Sequence, residues 1–373
     1  MQRLRSDLKT LCIIINYKSA ALTHRAIKSV LDSASLSPVK VVVVDNSEDS
    51  DEAARLCPGL PPGVSLRVSP ENIGFGRACN LAFEQFEGEQ VLLINPDVRL
   101  LPGCLLRLQE TLLSSKKIAA VSPQVFWDDR LKFYLPPAIP PFLFEFQSFF
   151  DTWGPQALVS RLLSAIWRYH SIKVWRSKKP VRVNNLSGGL VLLKRESVQK
   201  AGGLFDPLFF LYFEDTDLFI RLRKAGYTLV TEPRARAVHY YDQCGSKEWE
   251  WKRSLMARSK VVFLEKYKGG KHHLSKALCH FRSLLQPDIG GPRPPDFASP
   301  FTLEIPGHLQ GGWLFEWSPN PNFIPAVGNF GKGPCVDFSE IHWSMLSPGQ
   351  YFGRLGSPVK FGKYPQMATW MVS

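Results

Sequence analysis

Short apolar runs that end abruptly in polar residues punctuate the first hundred positions of the chain. Leu11–Asn16 reads LCIIIN, Val39–Val44 reads VKVVVV and is followed by Asp45-Asn46-Ser47, and Gln90–Ile94 reads QVLLI before Asn95-Pro96-Asp97. Leu66–Ser69 is a weaker run of the same kind. Ala20–Ala34 and Gly74–Glu84 lie between these runs and repeat their apolar residues at helical spacing. Strands that are apolar along their whole length must be covered on both faces, which argues for a largely parallel α/β sheet with helices on either side. In such sheets ligands bind beyond the carboxyl ends of the strands. Asn16, Asp45 and Asp97 each stand at such an end, so they are expected to converge on one crevice.

A chain of 373 residues with 45% hydrophobic content buries a large core, and one large domain with a smaller one is the natural division. The net charge of +13 is concentrated in patches such as 161–179 and 252–276. Nucleic acid, an anionic membrane surface or a phosphorylated substrate would each account for it. No recognisable nucleic-acid module supports the first, and no apolar run is long enough for a spanning helix. The charged start, Met1–Thr10, is unlike a secretory signal. The 7 cysteines are scattered without a C-x-x-C pair, which disfavours a disulfide framework or structural zinc and fits a reducing cytoplasm.

The α/β pattern breaks at about 135–183, where a proline-rich start leads into an aromatic and basic stretch. This reads either as a packed helical insertion or as a segment lying on a membrane. The pattern resumes with strands at Leu190–Lys194 and Thr228–Val230 and a helix at Glu248–Tyr267. Residues 286–300 are rich in proline and glycine and read as a linker after a domain spanning 1–285. Residues 301–373 carry many aromatics, frequent Gly and Pro and short alternating runs, which reads as a small all-β module. Its aromatics are expected either to fill a core or to stack on sugars.

Phe209–Gly226 reads FFLYFEDTDLFIRLRKAG and places Glu214, Asp215 and Asp217 at the start of a helical repeat. Acids there can simply cap the helix, or a hydrophobic loop can deliver a general base to a cleft edge. Further stations precede and follow it. Asp45-Asn46-Ser47 suits hydrogen bonding to a nucleobase or ribose. Asn72 to Asn80 offers Gly74 and Gly76 for close backbone approach and Arg77 for a diphosphate, but is no G-x-G-x-x-G fingerprint. Asp97 suits a divalent cation whose shell substrate phosphates complete, and His239 in AVHYY suits the same ion.

Taken in order, VVVVDNSEDSD, ENIGFGRACNLAF, VLLINPDVRL, LSGGLVLLKRESVQKAGGLFDPLFFLYFEDTDLFIRLRKAGY and RARAVHYYDQCGS resemble the inverting nucleotide-sugar glycosyltransferases of family two. The likeness is to rhamnosyltransferase-like bacterial members with a GT-A fold, over roughly residues 10–270. It implies that Asp45 contacts the base, with Asn16 and Asn72 lining the same pocket and Gly74, Arg77 and Asn95 serving the donor. Asp97 would be the metal carboxylate of a D-x-D motif whose first Asp is here Asn95, and His239 would complete the metal site for Mg²⁺ or Mn²⁺. Asp215 matches the catalytic base, with Glu214 shaping the acceptor site beside Gly188 and Gly189, and Asp217 structural.

The resulting expectation is an inverting transferase that moves a sugar, L-rhamnose from dTDP-rhamnose for instance, onto a polysaccharide or lipid-linked acceptor. A UDP-hexose donor and a non-catalytic glycan-binding protein on the same fold are the alternatives. The expected location is cytoplasmic, with peripheral contact at the inner face of an anionic membrane.

Overall fold

The computed structural model describes residues 9–141, 156–241, 243, 248–268, 296–359 and 366–372. It divides into two compact units, one of residues 1–125 and 177–266, the other of residues 126–176 and 267–373. A division drawn at residue 285 differs from this, because the aromatic stretch from 126 groups with the C-terminal segment.

In the first unit, strands β1 (Thr10–Asn16), β2 (Val39–Asp45), β3 (Ser65–Val68) and β4 (Gln90–Ile94) pair in parallel in the order β3-β2-β1-β4. The register aligns Asn16 with Asp45, so the two polar strand ends lie side by side. Helices α1 (Ala20–Leu31), α2 (Ser50–Leu56), α3 (Phe75–Gln85) and α4 (Cys104–Leu113) supply the crossovers, with β5 (Val98–Leu100) between β4 and α4. Beyond β4 the sheet turns antiparallel. It continues through β9 (Leu190–Lys194) to β6 (Ile118–Phe126).

The apolar strands are buried on both sides, as their composition requires. Leu11, Ile13 and Ile15 pack with Ala78, Ala82 and Leu218 on one face. Cys12, Ile14 and Val43 pack with Ile27, Leu105 and Leu108 on the other. At roughly 1.5–3 kcal/mol per buried aliphatic side chain, these two layers are the main source of the unit's stability.

Helix α6 (Arg195–Lys200) follows β9, and α7 (Glu214–Lys224) begins at the acidic cluster. The strand expected at Thr228–Val230 is much longer: β10 runs Thr228–His239 and pairs antiparallel with β5 and with β8 (Val181–Val183). Its exposed arginines hid the alternation, since Arg234 and Arg236 face solvent while Glu232, Ala235 and Ala237 are buried. Helix α8 (Trp249–Lys268) follows.

The second unit carries β7 (Phe133–Tyr134), helix α5 (Gln156–Trp175) and strands β11 (Asp296–Phe297), β12 (Phe301–Glu304), β13 (Trp313–Ser318), β14 (Val327–Gly331), β15 (Cys335–Phe338), β16 (Gly349–Gly356) and β17 (Gln366–Val372). A single-turn helix, α9 (Glu340–Ser344), interrupts them. Its β pairing is antiparallel apart from β11 with β17. The segment read as a linker, 286–300, contains β11, and its positions 286–295 lie outside the described residues.

The aromatics here are interior: Trp127, Phe133, Phe315, Trp317, Phe338 and Trp370 form one core, and Tyr351 stacks on Trp370 at 5.9 Å and 13°. None of these rings is on a surface where a sugar would stack. In the same unit Glu316 accepts from Arg168 Nε at 2.6 Å and from Arg354 Nη2 at 2.9 Å, all three residues being buried. Among the described residues no helix is long and apolar enough to cross a membrane.

Candidate active site

Every residue singled out from the sequence lies in the first unit, and the site can be assembled from its strand ends. At β1 and β2, Asn16 Nδ2 donates to Asp45 Oδ1 at 2.9 Å, to Ser47 Oγ at 3.2 Å and to Glu52 Oε1 at 3.2 Å. Asn16 Oδ1 in turn accepts from Ser19 Oγ and Thr23 Oγ1 at 3.1 and 2.7 Å. These bonds fix the amide orientation. They also occupy Asp45 Oδ1, while the buried Asp45 Oδ2 has no hydrogen-bond partner. A buried acceptor with open lone pairs is costly unless a ligand N–H or O–H reaches it.

Glu52 was not anticipated. It lies on α2, nearly wholly buried, and accepts from Asn16 Nδ2, Ala20 N and Arg55 Nε. Burial works to raise its pKa, but these donors outweigh it and hold the carboxyl below its usual range. The sequence signal for it was slight, an acid in the first turn of a helix.

Asn46 Nδ2 donates to Asn72 Oδ1 at 2.8 Å, and Asn46 Oδ1 accepts from Ile73 N at 3.0 Å. These bonds tie the loop before α3 to the end of β2. Gly74 is required there: its φ is +84°, and an added Cβ would meet Phe210 O at 2.4 Å. Arg77 is exposed, and its guanidinium donates to Pro207 O at 3.2 and 3.1 Å.

Asp97 and His239 meet across β5 and β10, with His239 Nε2 3.1 Å from Asp97 Oδ1. Yet Asp97 Oδ1, though buried, completes no hydrogen bond, and Oδ2 accepts from Gln243 N at 3.3 Å. Burial of Asp97 works to raise its pKa, and the adjacent His239 and the Gln243 N–H overcome it, keeping the carboxyl below its ordinary range. One carboxylate oxygen and one imidazole nitrogen facing each other, with the oxygen otherwise unused, fit two ligands of a divalent ion. The remaining positions would fall to phosphate oxygens and water. Among the described residues no group of three or more His, Cys, Asp or Glu gathers for a metal, so such an ion would depend on its substrate.

The acidic cluster opens α7. Tyr212 and Phe213 both adopt left-handed backbone, φ +71° and +68°, immediately before Glu214. Paired non-glycine residues in this region cost about 1–3 kcal/mol each, and such strain clusters at functional sites. Nothing in their side chains announced it. Asp215 Oδ2 accepts from Gly188 N at 2.9 Å and Oδ1 from Thr216 N at 2.6 Å. Burial pushes the Asp215 carboxyl up, partly offset by those N–H groups. Glu214 is pushed further, to about 8, by burial and then by the charge of Asp215. Asp217 serves the helix instead: it is fully buried and paired with Arg221 Nε at 2.8 Å and Lys266 Nζ at 2.5 Å.

Gly188 and Gly189 join the two halves. An added Cβ at Gly188 would lie 3.0 Å from Asp215 Cβ, and one at Gly189 would lie 3.0 Å from Asn95 Nδ2 and 3.3 Å from His239 Cε1. Gly189 O also accepts from Asn95 N at 2.8 Å. Asn95, Asp97, Gly188, Gly189, Asp215 and His239 therefore form one constellation. Asn16, Asp45 and Asn72 form a second, at the neighbouring strand ends. Arg77 alone is committed to a carbonyl.

Comparison with known proteins points to glycosyltransferases. Residues 11–173 match the family model described as glycosyl transferase family 2, a span that includes Asn16, Asp45, Asn72 and Asp97 but stops before Gly188. Two curated proteins of Mycobacterium tuberculosis, from strains CDC 1551 / Oshkosh and ATCC 25618 / H37Rv, are 26% identical over 246 residues, covering 61% of this chain and 75% of each relative. Both are described as N-acetylglucosaminyl-diphospho-decaprenol L-rhamnosyltransferase. Among solved structures, the mannosyltransferase PcManGT of Pyrobaculum calidifontis with GDP-Man and Mn²⁺ aligns with a TM-score of 0.42 at 17% identity, covering 74% of this chain and 76% of that one. GalNAc-T7 with UDP, GalNAc and Mn²⁺ aligns with a TM-score of 0.44 at 14% identity, covering 96% and 66%.

Proposed function

We propose that this chain, a glycosyltransferase with a family 2 domain over residues 11–173, moves L-rhamnose from a nucleotide donor such as dTDP-rhamnose to a hydroxyl of a lipid-linked glycan, with inversion. The observation that carries the reading is the pair Gly188-Gly189, which brings the carboxylate of Asp215 and the Asn95–His239 cluster onto successive residues. Inversion needs attack on the anomeric carbon from the side opposite the leaving diphosphate. A base and a diphosphate site on either side of a narrow backbone bridge meet that need.

On the donor side, the open Asp45 Oδ2 accepts the imide N–H of a thymine or uracil, while Asn16, itself bonded to Glu52, holds Asp45 Oδ1 in place. Asn72 and Gly74 bring the loop backbone close to the nucleotide, and Asn95 faces the diphosphate. Asp97 and His239 would hold a Mg²⁺ or Mn²⁺ ion, which when bound neutralises charge on the leaving diphosphate. On the acceptor side, Asp215 takes the hydroxyl proton as the new glycosidic bond forms, a role worth roughly 10²–10⁴-fold in rate. Its burial favours this, because a carboxylate in a dry site is a stronger base. The lipid-linked acceptor follows the description of the curated relatives and fits the chain's net charge of +13, which would suit peripheral contact with anionic lipid on the cytoplasmic side of a membrane.

The test is a donor panel assayed against a diphosphate-linked N-acetylglucosaminyl lipid, with dTDP-rhamnose beside UDP-hexoses. Turnover of dTDP-rhamnose into a lipid-linked disaccharide is the expected result. Turnover confined to a UDP-hexose would overturn the donor assignment, and hydrolysis without transfer would overturn the acceptor.

A further inference from the structure

Glu214, expected on the acceptor side, packs against α3. A Cβ placed on Gly76, in the first turn of α3, would lie 3.7 Å from Glu214 Cβ. Cys79, one turn further along the same helix, is buried as well. Glu214 thus stands under the N-terminal turn of α3, directly beside Asp215. It is 5% exposed, and its Oε2 has no hydrogen-bond partner.

The groups facing it explain its state. Cys79 from α3 is a neutral thiol, burial holding it well above its ordinary range. Asp215 on its own helix is an acid, and Asp217 is turned to Arg221 and Lys266. Arg77 points to Pro207 O. Among the described residues no Lys, Arg or His lies within ion-pair distance of Glu214. An ionised carboxylate with a bare, buried oxygen and an acid for its neighbour is strongly disfavoured, whereas a neutral carboxylic acid in the same place is tolerated.

We infer that Glu214 is carried as a neutral acid and is a positioning residue, holding the N-terminal turn of α3 and the Asp215 side chain in one register, and that its ionisation weakens donor binding. The inference rests on the reading of α3 and its preceding loop as a donor site. A charge appearing beneath Gly76 would repel an anionic nucleoside diphosphate and force the helix turn away from the acid.

The experiment compares the affinity of dTDP for the whole protein by calorimetry at pH 7 and about pH 9 in wild type and Glu214→Gln. The neutral fraction of an acid titrating at about 8 falls about tenfold across that range, and apparent affinity falls with the competent fraction. Wild type is expected to bind about tenfold more weakly at the higher pH, and Glu214→Gln to change by less than about twofold. An equal alkaline loss in both proteins would overturn the inference. Infrared spectra of the wild type give a second reading that needs no variant. A protonated-carboxyl band lost over this pH range, and missing from Glu214→Gln, supports the inference; no such band at pH 7 overturns it. Neither reading requires turnover, so a failure here is separable from a failure of Asp215 as the base.

Discussion

Gly188 donates its backbone N–H to Asp215 Oδ2 at 2.9 Å, and the next residue accepts the N–H of Asn95 at 2.8 Å. The spacing between Asp215 and Asn95, the base and leaving-group sides of the proposed reaction, is thereby set by backbone rather than by flexible side chains. Side chains can reorient within their rotamer wells, whereas a two-residue backbone link cannot lengthen.

Asp215→Asn should keep the fold and the donor affinity but lower kcat by roughly 10²–10⁴-fold, the usual worth of a positioned base. Steady-state kinetics with donor and acceptor varied separately would check this. A loss confined to the donor KM would point away from a role in proton transfer.

Gly188→Ala inserts a methyl 3.0 Å from Asp215 Cβ. The base must shift by a few tenths of an ångström or more, and misplacement approaching 1 Å costs about a hundredfold. The expected result is a lower kcat with little change in thermal stability. Gly189→Ala presses instead on Asn95 and His239, so its effect should fall on the donor KM.

The proposed metal role of Asp97 and His239 predicts metal dependence. Thorough chelation should abolish most transfer, and Mn²⁺ or Mg²⁺ should restore it. Asp97→Ala should shift the half-saturating metal concentration upward by at least tenfold. Full activity after chelation would remove both residues from the ligand role.

Asp217 predicts stability rather than rate. Removing its carboxylate in Asp217→Ala leaves a buried gap, while Arg221 keeps its bonds to Ala201 O, Gly203 O and Leu204 O and Lys266 keeps Asp206. Losing a charge-assisted bond of this kind costs about 1.5–3 kcal/mol. Urea unfolding should show that loss.

Glu232 sets an acid limit. It is buried, accepts from Thr111 Oγ1 at 2.7 Å and receives Arg234 through Nε and Nη2, both at 2.8 Å. Burial opposes ionisation, but these donors prevail and hold the folded carboxyl below its unfolded value. A depressed carboxyl stabilises the fold above the unfolded pKa, and that stability is lost as pH falls through the folded one. Glu232→Gln should therefore be less stable at pH 7 by about 1.5–3 kcal/mol. The gap should close as the pH drops below about 4, which melting curves across acid pH would reveal.

The strand ends were legible because burial on both faces leaves an unbroken apolar run, so the positions of Asn16, Asp45 and Asp97 followed from where each run stopped. The antiparallel half of the sheet was not. In β10 the exposed Arg234 and Arg236 alternate with buried residues, and the strand was recognised only at its first few positions. Gly188 and Gly189 were expected beside the acceptor site, and Cβ atoms added to them would meet Asp215, Asn95 and His239. Glu214 was placed on the acceptor side by the family resemblance. On the first turn of a helix, however, successive residues point about 100° apart, and Glu214 turns to α3. Glu52 escaped because its role depends on a neighbour 36 positions away.

Tyr212 and Phe213 place a cost at the point where the base is aimed. A glycine at either position would relieve the left-handed backbone and ease folding, while releasing the turn that orients α7. Selection for heat resistance and selection for turnover would therefore pull on the same two dihedral angles in opposite directions. Variants recovered from a screen for thermal tolerance alone should include glycines here whose gains in melting temperature come with slower transfer.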